Sequence, residues 1–281
     1  MPRFILCADD FALSEAISGA ILDLLSRRRV SATSAMTNSD NWLVAAPRLK
    51  EVAGHADIGV HLNLTCGASL SIMSRLAPTG ELPTLGRILR RVVARRLPIA
   101  EIADEFRRQI DAFARGLGRE PDFIDGHQHV HAFPGVREAL FSALDGLGLA
   151  RRVYVRDPAD SAGAIAARRL SAGKALFVAR LARGFEPALH KRGIACNRGF
   201  AGFTPFRARR DYAADFPLFL RAAGDCHLVM CHPGLADGSR ERQDPAGATR
   251  PKEHAFLAGE AFPALLAKSK SALARFRDLP R

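Results

Sequence analysis

The chain has 281 residues, 48% of them hydrophobic, enough apolar side chain for a sizeable core, which excludes a disordered protein. Its formal net charge of +12 comes almost wholly from Arg, because Lys is scarce. That balance admits nucleic acid, an anionic glycan or a membrane surface as partner, but the Arg residues are scattered through helix-like segments, which reads first as solvated faces.

In chain order, "RFILCA" reads as a strand ending at Asp9 and Asp10, and a helix follows over roughly Ser14–Arg29 with Ser14 as N-cap. "VSATSAMTN" is a second strand, and "DNWLVAAPRLKEVA" a helix broken near Pro47. "ADIGVHLNLT" is a third strand. After a loop come two amphipathic helices, "LGRILRRVVARRL" and "IAEIADEFRRQIDAFARGL". "PDFIDGHQHV" is the next strand, "GVREALFSALDGLG" the next helix, then the strand "RVYVR" and an Arg- and Ala-rich helical stretch. A helix near Tyr212–Ala223, the strand "CHLVMCHPG" and a last helix from about Lys252 complete the pattern.

Strands alternating with helices predict parallel βαβ units in one domain spanning 1–281, either an open doubly wound sheet or a closed or distorted barrel. No run of about 18 apolar residues is present, so no membrane span is expected. "MPRFILCADDF" lacks the apolar stretch of a signal peptide. Cys7, Cys66, Cys196, Cys226 and Cys231 show no CxxC pairing and read as reduced, mostly buried thiols, so a cytoplasmic protein is expected.

Acids and histidines fall at the C-terminal ends of four predicted strands: Asp9 and Asp10, His61 and Asn63, Asp125 and His127, and His232. In barrels and in open α/β sheets alike, that rim is where ligands bind. "ADD" (8–10) is either a helix cap or a pair in which one carboxylate binds a metal and the other acts as base. In "DGHQHVH" (125–131), His127, His129 and His131 share a face if the segment is extended, and His127 and His131 share one if it is helical. One Asp with two His leaves coordination positions for water and substrate. His129 and His131 would over-fill such a metal, so they read, with Asn63 and Arg156, as substrate contacts or as supports for the ligands. In "MCHPG" (230–234), His232 is a polar turn residue or a general acid.

Arg87, Arg90, Arg91 and Arg95 share one helix face, without the aromatic residues that stack bases, so no nucleic-acid partner is expected. No GxSxG elbow, Walker loop, GxGxxG turn or zinc-finger spacing occurs.

The set "ADDF" (8–11), "GVHLNLT" (59–65), "DGHQHVH" (125–131) and "MCHPG" (230–234), with "TRPKEHAFL" (249–257), resembles the YdjC-like carbohydrate deacetylases, over nearly the whole chain. The resemblance implies a distorted (β/α) TIM-like barrel and removal of acetyl groups from N-acetylated sugars of an oligosaccharide or glycolipid. It implies a divalent cation, usually Mg2+, on Asp10, His61 and His127, with Asp9 as catalytic base and His232 as a late catalytic histidine. The ligand types themselves suit Zn2+ or Co2+ better. Another metal-dependent amidohydrolase or phosphoesterase on the same barrel is the alternative, and an Arg-rich nucleic-acid binder a remote one. Where the family reads "DDFG" this chain has Ala12; if that position needs positive φ, Ala costs about 1 kcal/mol relative to Gly. Residues 157–210 read as a substrate-facing insertion, and a homodimer would let a neighbouring subunit complete the long rim loops.

Overall fold

The computed structural model describes residues 2–236 and 244–280. The first half alternates β1 (Arg3–Phe11), α1 (Glu15–Ser26), β2 (Ala32–Ala35), α2 (Trp42–Val52), β3 (Asp57–Leu62), α3 (Leu85–Val93), α4 (Ile99–Leu117), β4 (Phe123–Gly126) and α5 (Val136–Gly146). Then come β5 (Tyr154–Val155), three helices α6 (Ala162–Arg168), α7 (Ala172–Leu181) and α8 (Phe185–Lys191), and the short strands β6 (Ala195–Cys196) and β7 (Phe200–Ala201). The chain continues through α9 (Tyr212–Phe219), β8 (His227–Cys231), α10 (Arg250–Ala258), α11 (Ala261–Lys268) and β9 (Ala272–Leu273).

All strand pairs are parallel, in the order β6-β5-β4-β3-β2-β1-β8-β7, with β9 added beside the start of β1. The two edge strands, β6 and β7, are consecutive in the chain, separated only by residues 197–199. The sheet therefore curls into a distorted barrel whose seam is a single bend of backbone. Asn197 secures the seam: its Oδ1 accepts from Asp157 N (2.8 Å), and its Nδ2 donates to Asp157 O (2.9 Å) and Gly199 O (3.0 Å). Gly202 follows at φ +111°, where a Cβ would come within 2.2 Å of Met230 O, so β7 can lie against β8 only without a side chain there.

Parallel strands covered on both faces alternate between two interiors. From β1, Phe4, Leu6 and Ala8 face the helices, whereas Ile5 and Cys7 face the barrel lumen. The lumen floor is aromatic: Tyr154 stacks between Phe123 (4.9 Å) and Phe276 (4.0 Å). Continued upward, the same alternation turns Asp9, Ser34, His61, Asp125 and Arg156 toward the lumen, above that plug.

Ser14 caps α1 as expected, its side chain accepting from Ile17 N (3.2 Å). The helix containing Pro47 is not broken; α2 runs through it. The carbonyl that Pro47 leaves without a donor belongs to Leu43, a residue 80% exposed, where water can serve instead. The last helical region is two helices, and the two-residue strands β6, β7 and β9 carry too little pattern to be read from sequence. No helix among the described residues is long and apolar enough to cross a membrane.

His227, at the start of β8, is fully buried with its Nε2 against Phe219 O (3.0 Å). Burial, with help from Arg168, depresses its pKa to about 4. The unfolded chain thus takes up this proton below about pH 6.5 while the folded chain refuses it until about pH 4, so stability falls as pH drops across that window. Urea unfolding between pH 7 and pH 4 should show His227 contributing a loss of about 3 kcal/mol, and His227→Gln should lower the proton uptake on unfolding by about one.

Candidate metal centre

The top of β1 separates two adjacent carboxylates. Asp9 continues the strand and points into the lumen; at Asp10 the backbone turns left-handed (φ +70°), and Ala12 does so again (φ +72°). The register with β2 shifts between Ala8 and Phe11 as a result. Position 12 therefore does need positive φ, and Ala bears the strain of about 1 kcal/mol there.

Asp10 faces two histidines. Its Oδ1 lies 3.3 Å from His61 Nε2 and 3.0 Å from His127 Nδ1. The three ligand atoms all sit within 4.8 Å of one another. His61 is oriented from behind: its Nδ1–H donates to Asp125 Oδ1 (2.7 Å), Ser34 Oγ lies 3.0 Å from the same nitrogen, and Ser34 Oγ–H donates to Asp125 Oδ2 (2.9 Å). That fixes Nδ1 as a donor and turns Nε2 toward Asp10, the arrangement of a carboxylate–histidine–metal relay once a cation takes the place of the Nε2 proton. Burial alone would depress His61, but Asp125, Asp10 and Asp9 outweigh it and lift the pKa to about 10. Burial likewise pushes Asp10 up, yet Arg250, His127 and His61 hold it well below the usual carboxylate range. Clustered donors, an imidazole nitrogen fixed in direction and an anionic carboxylate fit a divalent cation, which would displace the His61 Nε2 proton.

Arg156, with no exposed surface, joins the carboxylates. Its Nη1 and Nη2 donate to the two oxygens of Asp9, each at 2.6 Å, and Nη2 also lies 2.6 Å from Asp125 Oδ2. On the other side Arg250 Nη2 donates to Asp10 Oδ2 (2.6 Å) and its Nε to Asp244 Oδ2 (2.5 Å). Arg250 lies in the "TRPKEH" segment and was assigned no role from sequence; a buried cation paired with an acid from a distant strand leaves no local pattern.

The three histidines of 127–131 neither extend nor form one helical face. A three-ten turn with left-handed Gln128 and His129 (φ 54° and 61°) sends them apart. His127 reaches Asp10. His129 lies edge-on to Phe200 and Phe203, with its pKa well below the usual range through burial and then Arg156. His131 turns inward, its Nε2–H donating to Arg156 O (2.7 Å), and burial depresses it to about 4.

His232 stands at the end of β8 with its backbone N donating to Glu253 Oε2 (2.7 Å) and its ring edge-on to Phe206; burial depresses it to about 4. Asn63 does not face these groups. It fastens the loop after β3, its Nδ2 donating to Cys66 O (2.6 Å) and its Oδ1 accepting from Thr65 N (2.9 Å). Gln109 of α4 clamps the same residue through both backbone groups.

Asp9, Asp10, His61, His127, His129 and His232 all line one cavity of about 320 Å3, together with Arg250 and Lys174. A larger hollow of about 510 Å3 beside α2 and α4 is lined by none of them.

Replacing Asp125 by Asn should leave the fold intact but weaken divalent-cation binding by about 10- to 100-fold, as read by competition with a chelating dye. Removing the Arg156 charge strands two buried carboxylates, so Arg156→Met should destabilise the chain by about 3–5 kcal/mol in urea unfolding.

The sequence profile of the family described as YdjC-like protein matches residues 3–268. A chitooligosaccharide deacetylase of Serratia marcescens is 32% identical over 244 residues, 83% of this chain and 95% of that protein. One from Enterobacter sp. (strain 638) is 35% identical over 147 residues, 52% of this chain, so the match spans 57% of that relative's length. The crystal structure of an Enterococcus faecalis V583 protein, proposed there to cleave cellobiose phosphate, superposes with a TM-score of 0.70 at 20% identity, covering 99% of this chain and 98% of that one, a likeness of fold. By its sequence and by the barrel just described, the chain belongs to the YdjC-like family.

Proposed function

We propose that this protein is a metal-dependent hydrolase that removes acetyl groups from N-acetylated carbohydrates. The observation carrying the reading is the juxtaposition, in one cavity, of the Asp10–His61–His127 donor set with a second carboxylate, Asp9, gripped through both oxygens by Arg156. The names of the Serratia and Enterobacter relatives support it.

A divalent cation on Asp10, His61 and His127 would polarise the acetyl carbonyl and lower the pKa of water. The rest falls to the chain's own side chains. Asp9 takes a proton from the attacking water, and Arg156, bound to both of its oxygens, fixes that carboxylate in direction. As the water oxygen bonds to the carbonyl carbon and the C–N bond breaks, acetate leaves and the amine nitrogen needs one proton. His232, neutral at pH 7, brings none of its own. The leaving nitrogen therefore receives the proton Asp9 has taken, and His232 acts as its carrier and not its source. The relay also requires the amine to leave from the His232 side of the cavity.

Segment 157–210 supplies the substrate wall. Phe177, Val178 and Phe206 offer apolar faces, and Lys174 Nζ lies 4.1 Å from the centre of the Phe206 ring. Apolar faces beside one cation suit the C–H faces of an N-acetylglucosamine unit, in an oligosaccharide or a glycolipid headgroup. The imidazoles favour Zn2+ or Co2+ and the family resemblance Mg2+.

The test is acetate release from di-N-acetylchitobiose and larger N-acetyl oligosaccharides by metal-stripped protein reloaded with Mg2+, Zn2+ or Co2+. Release should require metal and fall at least ~1000-fold in His127→Ala, the order lost with a key electrostatic group. Metal bound at the site without acetate from any N-acetyl sugar would overturn the substrate class. Asp9→Asn should bind the metal as wild type does and lose turnover.

A further inference from the structure

We propose that Glu186, His190 and Cys196 form a second transition-metal site, of the Zn2+ class, on the outside of the barrel seam. Glu186 and His190 are one turn apart on α8 and share a face. Gly193 (φ +68°) then reverses the chain, held by Gly193 N donating to His190 O (3.0 Å) and Ile194 N to Leu189 O (3.0 Å). The reversal brings Cys196, in β6, beneath the helix. A thiol, an imidazole and a carboxylate converge with their ligand atoms all within 4.8 Å of one another.

The spacing suits the metal. Cys196 Sγ and His190 Nε2 lie 3.6 Å apart. Bond lengths of about 2.3 Å to sulfur and 2.0–2.1 Å to nitrogen, set at a tetrahedral angle, separate such ligands by about 3.5 Å. Three protein ligands leave the fourth position to water. The surroundings are electronegative: burial, then Glu186 and Asp160, pushes the Asp157 carboxyl up to about 7. Cys196 rises to about 12 through burial, then Asp157 and Glu186, so the thiolate forms only if a cation compensates it.

This site is separate from the first. Cys196 and its β5 partner Val155 belong to the core between sheet and helices, whereas His61 and Asp125 face the lumen. A cation here would pin α8 to the two-residue strand at which the barrel closes, and so hold the helices α6–α8 against the seam. The role is structural.

The experiment uses the full chain carrying His127→Ala, which removes a donor from the first site, stripped of metal and titrated with Co2+. One equivalent should bind with a thiolate-to-cobalt charge-transfer band in the near ultraviolet, which no Asp/His site produces. Zn2+ at a hundredfold excess over its Kd should raise Tm by about 5 °C. Cys196→Ser in the same background should abolish both effects, and His190→Ala, at an exposed position that leaves the core untouched, should do the same. No charge-transfer band, or a band that survives Cys196→Ser, would overturn the site. Neither result depends on whether the first site cleaves an N-acetyl sugar.

Discussion

The rim of this barrel depends on one buried guanidinium. Arg156 lies between Asp9 and Asp125; Asp125 has no solvent to turn to, and Asp9 meets only the cavity. From that pair the charges alternate around the lumen: Asp125 holds His61, His61 faces Asp10, Asp10 meets Arg250, and Arg250 meets Asp244. With His61 neutral, four carboxylates oppose two guanidiniums, leaving two negative charges beside the bare His61 nitrogen. A divalent cation balances that count; without one, a proton on His61 offsets half of it, which is why the ring holds its proton so tightly.

What places these groups together is the two-residue repeat of a strand. In β1, β3, β4 and β5 the lumen-facing residue one step below the rim is apolar or small, and the rim residue is an acid, a histidine or an arginine. Phe123 is followed by Asp125, Tyr154 by Arg156, and Cys7 by Asp9. The stacked rings of Phe123, Tyr154 and Phe276 seal the lumen beneath the charges. With water kept out from below, each ion pair above is stronger and each unpaired charge more costly. A single strand slipped by one residue would turn its acid or histidine outward and break the chain of charges.

That repeat is also why so much of the site was legible. Asp9, Asp10, His61, His127 and His232 end apolar runs, and a parallel barrel must gather such residues at one rim. Arg156 was legible as a rim residue, but its two carboxylate partners were not, since ion pairing across strands has no sequence spacing. The three histidines of 127–131 misled because alternation predicts a shared face only while the backbone stays regular; two consecutive left-handed residues cancelled it. Asn63 failed for a related reason: β3 ends at Leu62, so the alternation that aims His61 inward no longer governs it. Barrel closure was hidden in strands of two residues, too short for any periodicity.

The corner after β1 explains how the site tolerates Ala12. Two left-handed residues within three positions would by themselves favour another backbone path. The corner is fixed from several directions at once. Ala12 N donates to Ser18 Oγ (3.1 Å), Ser39 Oγ donates to Ala12 O (2.6 Å), Leu13 N donates to Asp10 O (3.0 Å), and Met36 N donates to Phe11 O (2.9 Å). At about 1 kcal/mol for each bond, the set outweighs the roughly 1 kcal/mol that Ala adds relative to Gly. Ser18 is itself anchored on the first turn of α1, donating to Ser14 O (2.8 Å), so the cap of the helix and the aim of Asp10 are one structure. Strain at the Asp10 carboxylate is thus carried by the α1 N-terminus and by the loop after β2. A glycine at position 12 would relieve the strain without moving Asp10, because the hydrogen bonds that direct the corner come from backbone atoms and from neighbouring serines, none of which the Ala12 side chain supplies.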